Sequence, residues 1–232
     1  MTSVQTLLGL RKPPIAVGFL SEAPEGVPAW QGAAAPAGCM FWKKAQEGEA
    51  FYTVPADHYN CAVGAHTHGI PLNDARPGEL EQTVGFMVQS GYIAMEEVAG
   101  IPTVPFTPAF IAYAPAHTAS FPASVIVVAA QPAQAMLLYE AAVQIGAGAA
   151  LMNTLGRPGC AILPLTLQTG TASLSLGCKG NRTFTGLPNE EMYVSIPADK
   201  WSAVVEQITR VQSANQTMEG HYLQQQVRFG AS

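Results

Sequence analysis

The sequence predicts an α/β fold, a single domain over residues 1–232 with a mixed β-sheet flanked by helices. Three observations carry that prediction. Short β-branched apolar runs alternate with longer amphipathic stretches. Hydrophobic residues make up 48% of the chain, enough for a substantial core. No fixed-period repeat or break in composition divides it.

The expected strands are Ile15–Leu20, Phe51–Val54, Phe110–Ala114, Ser124–Ala130, Ala172–Leu176 and Met192–Ile196. The run at 124–130 is short and, after Ser124, apolar, as suits a central strand buried on both faces. Pro132 follows it and suits the first turn of a helix, predicted from Ala133 to Met152, whose end is weakened by Gly146 and Gly148. A second helix is expected over Asp199–Asn215. Asp199 would cap it, and Trp201, Val204, Val205, Ile208 and Val211 would form its buried stripe. A third should span Gly78–Gln89, using Leu80, Val84 and Met87 or Val88. Residues Glu22–Gly38, rich in Pro, Gly and Ala, read as an irregular loop.

Charge narrows the function classes. The chain has 11 Lys and Arg against 16 Asp and Glu, a net charge of −5, and its basic residues are scattered. That excludes the basic footprint of a nucleic-acid binder and a polybasic membrane surface. From Val98 to Cys178 the only formal charges are Glu140 and Arg157. Pro102, Pro105, Pro108, Pro115, Pro122 and Pro132 interrupt this stretch too often for a membrane-spanning helix. The N-terminal residues lack the pattern of a signal peptide, so the expectation is a cytoplasmic protein. Its uncharged middle third would be buried in its own core or against another copy, which favours a homo-oligomer.

Cys39, Cys61, Cys160 and Cys178 are the main chemical signal. No two have zinc-knuckle spacing, so spacing alone assigns no metal. Each stands beside glycine or small residues, as in Ala-Gly-Cys39 and Gly-Cys178-Lys-Gly. Glycine allows close backbone approach, and iron–sulfur clusters use backbone N–H bonds to their sulfurs. Core filling by free thiols is the plain alternative. A single redox thiol is another, with Cys178 beside Lys179 and near Arg182 the best activated. Disulfides are disfavoured in a reducing compartment.

A family resemblance follows from these segments. They are Pro-Pro-Ile-Ala-Val-Gly-Phe from Pro13, Cys39, His-Tyr-Asn-Cys-Ala-Val-Gly from His58, and Gly69-Ile70. The run from Val125 to Met136 and Gly-Cys-Lys-Gly-Asn-Arg from Gly177 complete the set. In that order they resemble the prokaryotic family catalogued as domain of unknown function 169, over roughly Leu7 to Ile208. The resemblance implies cysteines at the four positions and a common site for them. It brings no activity with it.

Other polar residues supply candidate roles. His58 would assist chemistry or hydrogen-bond a thiolate, and Arg182 would bind an anionic group with its fork; a structural role fits each as well. Gln134 and Glu140 are candidate substrate contacts, Glu140 through pairing with Arg157 or Arg182, although an exposed helix position explains it more simply. Met136 reads as ordinary core. His66 and His68, two residues apart, would share one face of a strand, as zinc and iron sites use, or form a hydrogen-bonded loop pair. Nucleotide-loop, serine-hydrolase and zinc-protease motifs are absent from the sequence.

Two functions follow as expectations. In the first, all four cysteines hold one iron–sulfur cluster of the 4Fe–4S type that serves a small molecule or a redox partner. In the second, the protein binds a small ligand without metal and its cysteines are structural. A zinc hydrolase using His58, His66 and His68 ranks below both, since no activating carboxylate accompanies them. Four sulfurs gathered within roughly 6–7 Å of one another would favour the cluster.

Overall fold

The computed structural model describes residues 4–72, 75–148, 154–155 and 158–229. Its strands are β1 (Ile15–Leu20), β2 (Phe51–Thr53), β3 (Phe110–Pro115), β4 (Val125–Ala130), β5 (Thr154–Leu155), β6 (Ser173–Ser175) and β7 (Met192–Pro197). They form one mixed sheet in the order β2-β3-β1-β4-β7-β6-β5, antiparallel except for the β5–β6 pair. The helices are α1 (Val4–Leu8), α2 (Met40–Gln46), α3 (Ala62–Thr67), α4 (Glu79–Gln89), α5 (Met95–Val98), α6 (Pro132–Gln144), α7 (Ile162–Thr169), α8 (Lys179–Thr185) and α9 (Trp201–Phe229). No described helix is long and apolar enough to cross a membrane.

Strand periodicity sorts the side chains into two cores. Ile15, Val17 and Phe19 of β1, with Val125 and Val127 of β4, face a layer containing Phe41 and Trp42 of α2 and Ile162 and Leu163 of α7. Ala16 of β1 and Ile126 and Val128 of β4 face the opposite layer, built from α1, α6 and α9. β4 is therefore buried on both sides, as its unbroken apolar run predicts. Much of the charge-poor stretch is spent on β3, β4, α6 and α7, so burial within the chain accounts for it without a second copy.

All six expected strands are present, within a residue or so of their predicted ends. The helices differ more. α6 starts at Pro132 but ends at Gln144, because Gly146 adopts φ 74° and the Ala147 N–H turns back to the Ala142 carbonyl, 2.8 Å away. The predicted end at Met152 lies outside the described residues.

α9 runs on to Phe229, well past Asn215. Val204, Ile208 and Val211 are buried against α6, each contributing roughly 1.5–3 kcal/mol. Beyond them the buried stripe stops, but no proline stops the helix. Asp199 is not its cap; it lies in a 3-10 turn, Ala198–Lys200, and pairs with Lys200 at 3.3 Å. α4 matches its prediction, yet none of its residues is fully buried.

Candidate functional site

The four cysteines sit at the starts of four short elements on one face of the sheet. Cys39 is the N-cap of α2, Cys61 of α3 and Cys178 of α8. Cys160 lies in the 3-10 turn Gly159–Ala161 that leads into α7. All four line a single cavity of about 470 Å³, two from each half of the chain.

Backbone N–H groups act on these sulfurs. Those of Gly38 and Gly64 act on the Cys61 thiol in the direction that favours its thiolate, although Cys61 makes no side-chain cap bond to α3. The Asn181 N–H donates to Cys178 Sγ at 3.3 Å. A Cβ on Gly64 would stand 2.8 Å from Cys61 Sγ, so only glycine lets α3 approach that sulfur so closely. A Cβ on Gly159 would meet the Cys178 nitrogen at 3.1 Å, which packs the two C-terminal cysteine turns together. Thr67 joins the halves differently. Its hydroxyl donates to the Gly64 carbonyl at 2.9 Å and lies 3.2 Å from Cys160 Sγ, whose thiol proton it can accept.

Burial governs the ionisation of this group. It pushes the Cys39 thiol up to about 12, reinforced by the charges of Cys61 and Cys178. It also raises Cys61, against the two backbone N–H groups that favour its thiolate. Cys160 is driven well above the usual thiol range by burial first and by Cys61 next. These three are therefore thiols at neutral pH, and a cationic occupant would have to displace their protons.

Two buried histidines stand behind the sulfurs. His58 Nε2 lies 2.8 Å from Thr53 Oγ1, and the Thr53 hydroxyl donates to the Ile111 carbonyl at 3.1 Å. The Thr53 proton is thus committed, so His58 Nε2 carries the donated hydrogen and Nδ1 keeps a lone pair. His68 packs edge-on against His58 with ring centroids 5.4 Å apart. It lines the cavity, and neither of its ring nitrogens has a hydrogen-bond partner. Burial lowers its pKa to about 4, and lowers that of His58 well below the ordinary range with His68 adding to the effect.

The model of domain of unknown function 169, described as uncharacterised ArCR, matches residues 3–207. The chain belongs to this family. A similar relative is an uncharacterized protein of Methanocaldococcus jannaschii, 29% identical over 157 residues, covering 66% of this chain and 67% of the relative. No solved structure matches the chain.

In this DUF169 member the other polar candidates lie elsewhere. Arg182 spends its guanidinium on three backbone carbonyls, those of Pro188 at 2.6 Å, Leu176 at 2.5 Å and Glu191 at 2.9 Å. It clamps the chain on either side of α8 and does not line the cavity. Gln134 accepts from the Gln131 N–H at 2.8 Å and donates to the Leu8 and Gly9 carbonyls, so it caps α6 and ties down α1. Glu140 accepts from Asn215 Nδ2 at 2.9 Å between α6 and α9. Its expected partner Arg157 lies outside the described residues. Met136 is about half exposed, not core.

His66 and His68 belong to a helix and its C-cap, not to a strand. Two residues along a helix rotate by about 200°, so the rings diverge. His66 borders a separate depression beside Arg76 and Leu80. Among the described residues no three of His, Cys, Asp and Glu stand close enough to hold a single metal ion.

Two contributors had no sequence signal of their own. Thr67 comes to Cys160 only through the fold. Tyr92 accepts a hydrogen bond from the Lys179 N–H at 2.9 Å and so fastens the segment after α4 to the Cys178 turn. Asn181 did have one, standing three residues after an N-cap cysteine, where a backbone donor is expected.

Proposed function

We propose that Cys39, Cys61, Cys160 and Cys178 together hold an iron–sulfur cluster of the four-iron type. One observation carries the reading: sulfurs from both halves of the chain line one cavity at the starts of four elements. The N–H bond from Asn181 to Cys178 favours it, because such bonds stabilise anionic sulfur and tune a cluster's potential. Among the described residues no three donors are placed to hold one metal ion, which disfavours a single zinc.

Bound there, the cluster would supply electron transfer or an iron site for a small molecule. The chain's own residues would bind it, orient its ligands and limit water through the apolar wall of the cavity. His58, fixed by Thr53, would hold the orientation of His68 rather than contact a substrate itself. A reducing, cytoplasmic setting goes with four free thiols. A redox partner and a second copy of the chain belong to this reading as proposals.

Anaerobic purification followed by iron, acid-labile sulfide and visible absorption measurements tests it. About four iron and four sulfide per chain are expected, with the absorbance lost in Cys61→Ser. A colourless protein, or a spectrum unchanged by Cys61→Ser, would overturn it. The second reading is a metal-free ligand pocket. It is favoured by the apolar lining from Val84, Met87, Ile93 and Phe184, which supplies no ligand to a cluster.

A further inference from the structure

The cavity has more wall than four cysteines use. Val84 and Met87 of α4, Ile93 and Ile101 beyond it, and Phe184 of α8 form an apolar side to the same space. None of the α4 residues is fully buried, so this outer wall borders the cavity and leaves the sheet's core to other elements. Tyr92 secures it to the Cys178 turn. At about 470 Å³ the cavity is the size of a small-molecule site, with room beyond the cysteines.

His68 is the second observation. It is fully buried, lines this space, and has no hydrogen-bond partner at either ring nitrogen. A neutral imidazole offers one donor and one acceptor, and leaving both unmade in a buried site is costly. Four thiolates complete the coordination of a four-iron cluster, so His68 is not needed as a ligand. The charged lining residues besides the cysteines are Glu79 and Lys179, of opposite sign, and Glu79 already faces Arg76 at 3.8 Å. Nothing there selects a net charge.

We propose that the cavity takes a small uncharged molecule with an apolar body of about one ring and one amide-like group. The body packs on Val84, Met87, Ile93 and Ile101, and His68 hydrogen-bonds the polar group. This rests on the cluster reading for what the bound molecule meets, while its recognition depends on His68 and the apolar wall alone.

Fluorine NMR titration of the anaerobically purified protein with para-fluorobenzamide, para-fluorotoluene and para-fluorobenzoate tests the proposal, with iron and sulfide measured in the same samples. The amide should bind tightest and the carboxylate weakest. His68→Phe should weaken the amide about tenfold and leave the toluene within about twofold. Met87→Trp, which fills the apolar side from an outer helix, should abolish binding of both neutral probes while circular dichroism stays native.

Tightest binding of benzoate, no binding of any probe, or an amide preference that survives His68→Phe would each overturn the proposal. So would unchanged binding in a folded Met87→Trp protein. Probe binding in this order by an iron-free protein supports the site and removes the cluster. An iron-loaded protein that binds no probe does the reverse.

Discussion

Gly64→Ala separates a metal site from core filling, because only a metal site loses iron and colour when the Cys61 sulfur is displaced. Gly64 lies inside α3, three residues after Cys61. In a helix interior, alanine is favoured over glycine by roughly 1 kcal/mol. The new Cβ, however, would stand 2.8 Å from Cys61 Sγ, about 0.6 Å inside ordinary contact. The Gly38 nitrogen lies a further step away, at 3.9 Å from the same point, so the sulfur is the atom that must move. A thiol that merely fills space can shift by that amount, with a net stability change within about 1 kcal/mol. A metal ligand cannot, since bond lengths at such sites hold to about 0.2 Å. The expected result is a folded protein whose urea midpoint barely changes and whose iron and visible absorbance fall to a small fraction of the parent's. Iron content equal to the parent's in a folded Gly64→Ala protein would refute the reasoning.

Three further outcomes follow from the geometry. His68, at about 4 when folded against 6.5 when unfolded, contributes stability that is complete above pH 6.5 and lost as pH falls toward 4. By linkage that is about 2 kcal/mol at pH 5, with His58 acting in the same direction. Urea unfolding near neutrality and at about pH 5 should show the loss, and His68→Phe should shrink it; an identical pH slope in that variant would sink the assignment. Arg182→Met frees three backbone carbonyls and should cost about 2–4 kcal/mol of stability, with iron per folded chain unchanged; a specific loss of iron would instead return Arg182 to the site. Gln134→Ala should cost about 1 kcal/mol through the α6 cap and leave the spectrum as it is, which absorption and thermal melts check together.

The sheet was legible because strand signals are local. The unbroken apolar runs of β1 and β4 each mark a strand covered on both faces. The missed elements include α2, α3, α7 and α8, of six to eight residues, too short for a helical period to show. Those same short helices or the turns into them carry the cysteines. The residues were therefore visible as candidates while their convergence was not, since it depends on which sheet face each short helix crosses. Arg182, Gln134 and Glu140 read as functional for a similar reason: a polar group looks the same in sequence whether it meets a substrate or another part of the chain. Only the partners at Pro188, Leu8 and Asn215 distinguish the two.

Core filling leaves several features of the cysteine face without a cause. A thiol placed only for its volume needs no backbone donor, yet Cys178 receives one from Asn181. It also has no reason to lie where neighbouring thiols would repel it once ionised, yet Cys39 and Cys160 are each raised by two or more of the others. Donors that stabilise thiolates, set beside burial that forbids them, make an arrangement strained toward an occupant with positive charge. An iron group would relieve it by replacing the thiol protons and offsetting part of the thiolate charge, so loading should release protons and strengthen as pH rises. If loading were independent of pH, the raised thiols of Cys39 and Cys160 could not be among the ligands.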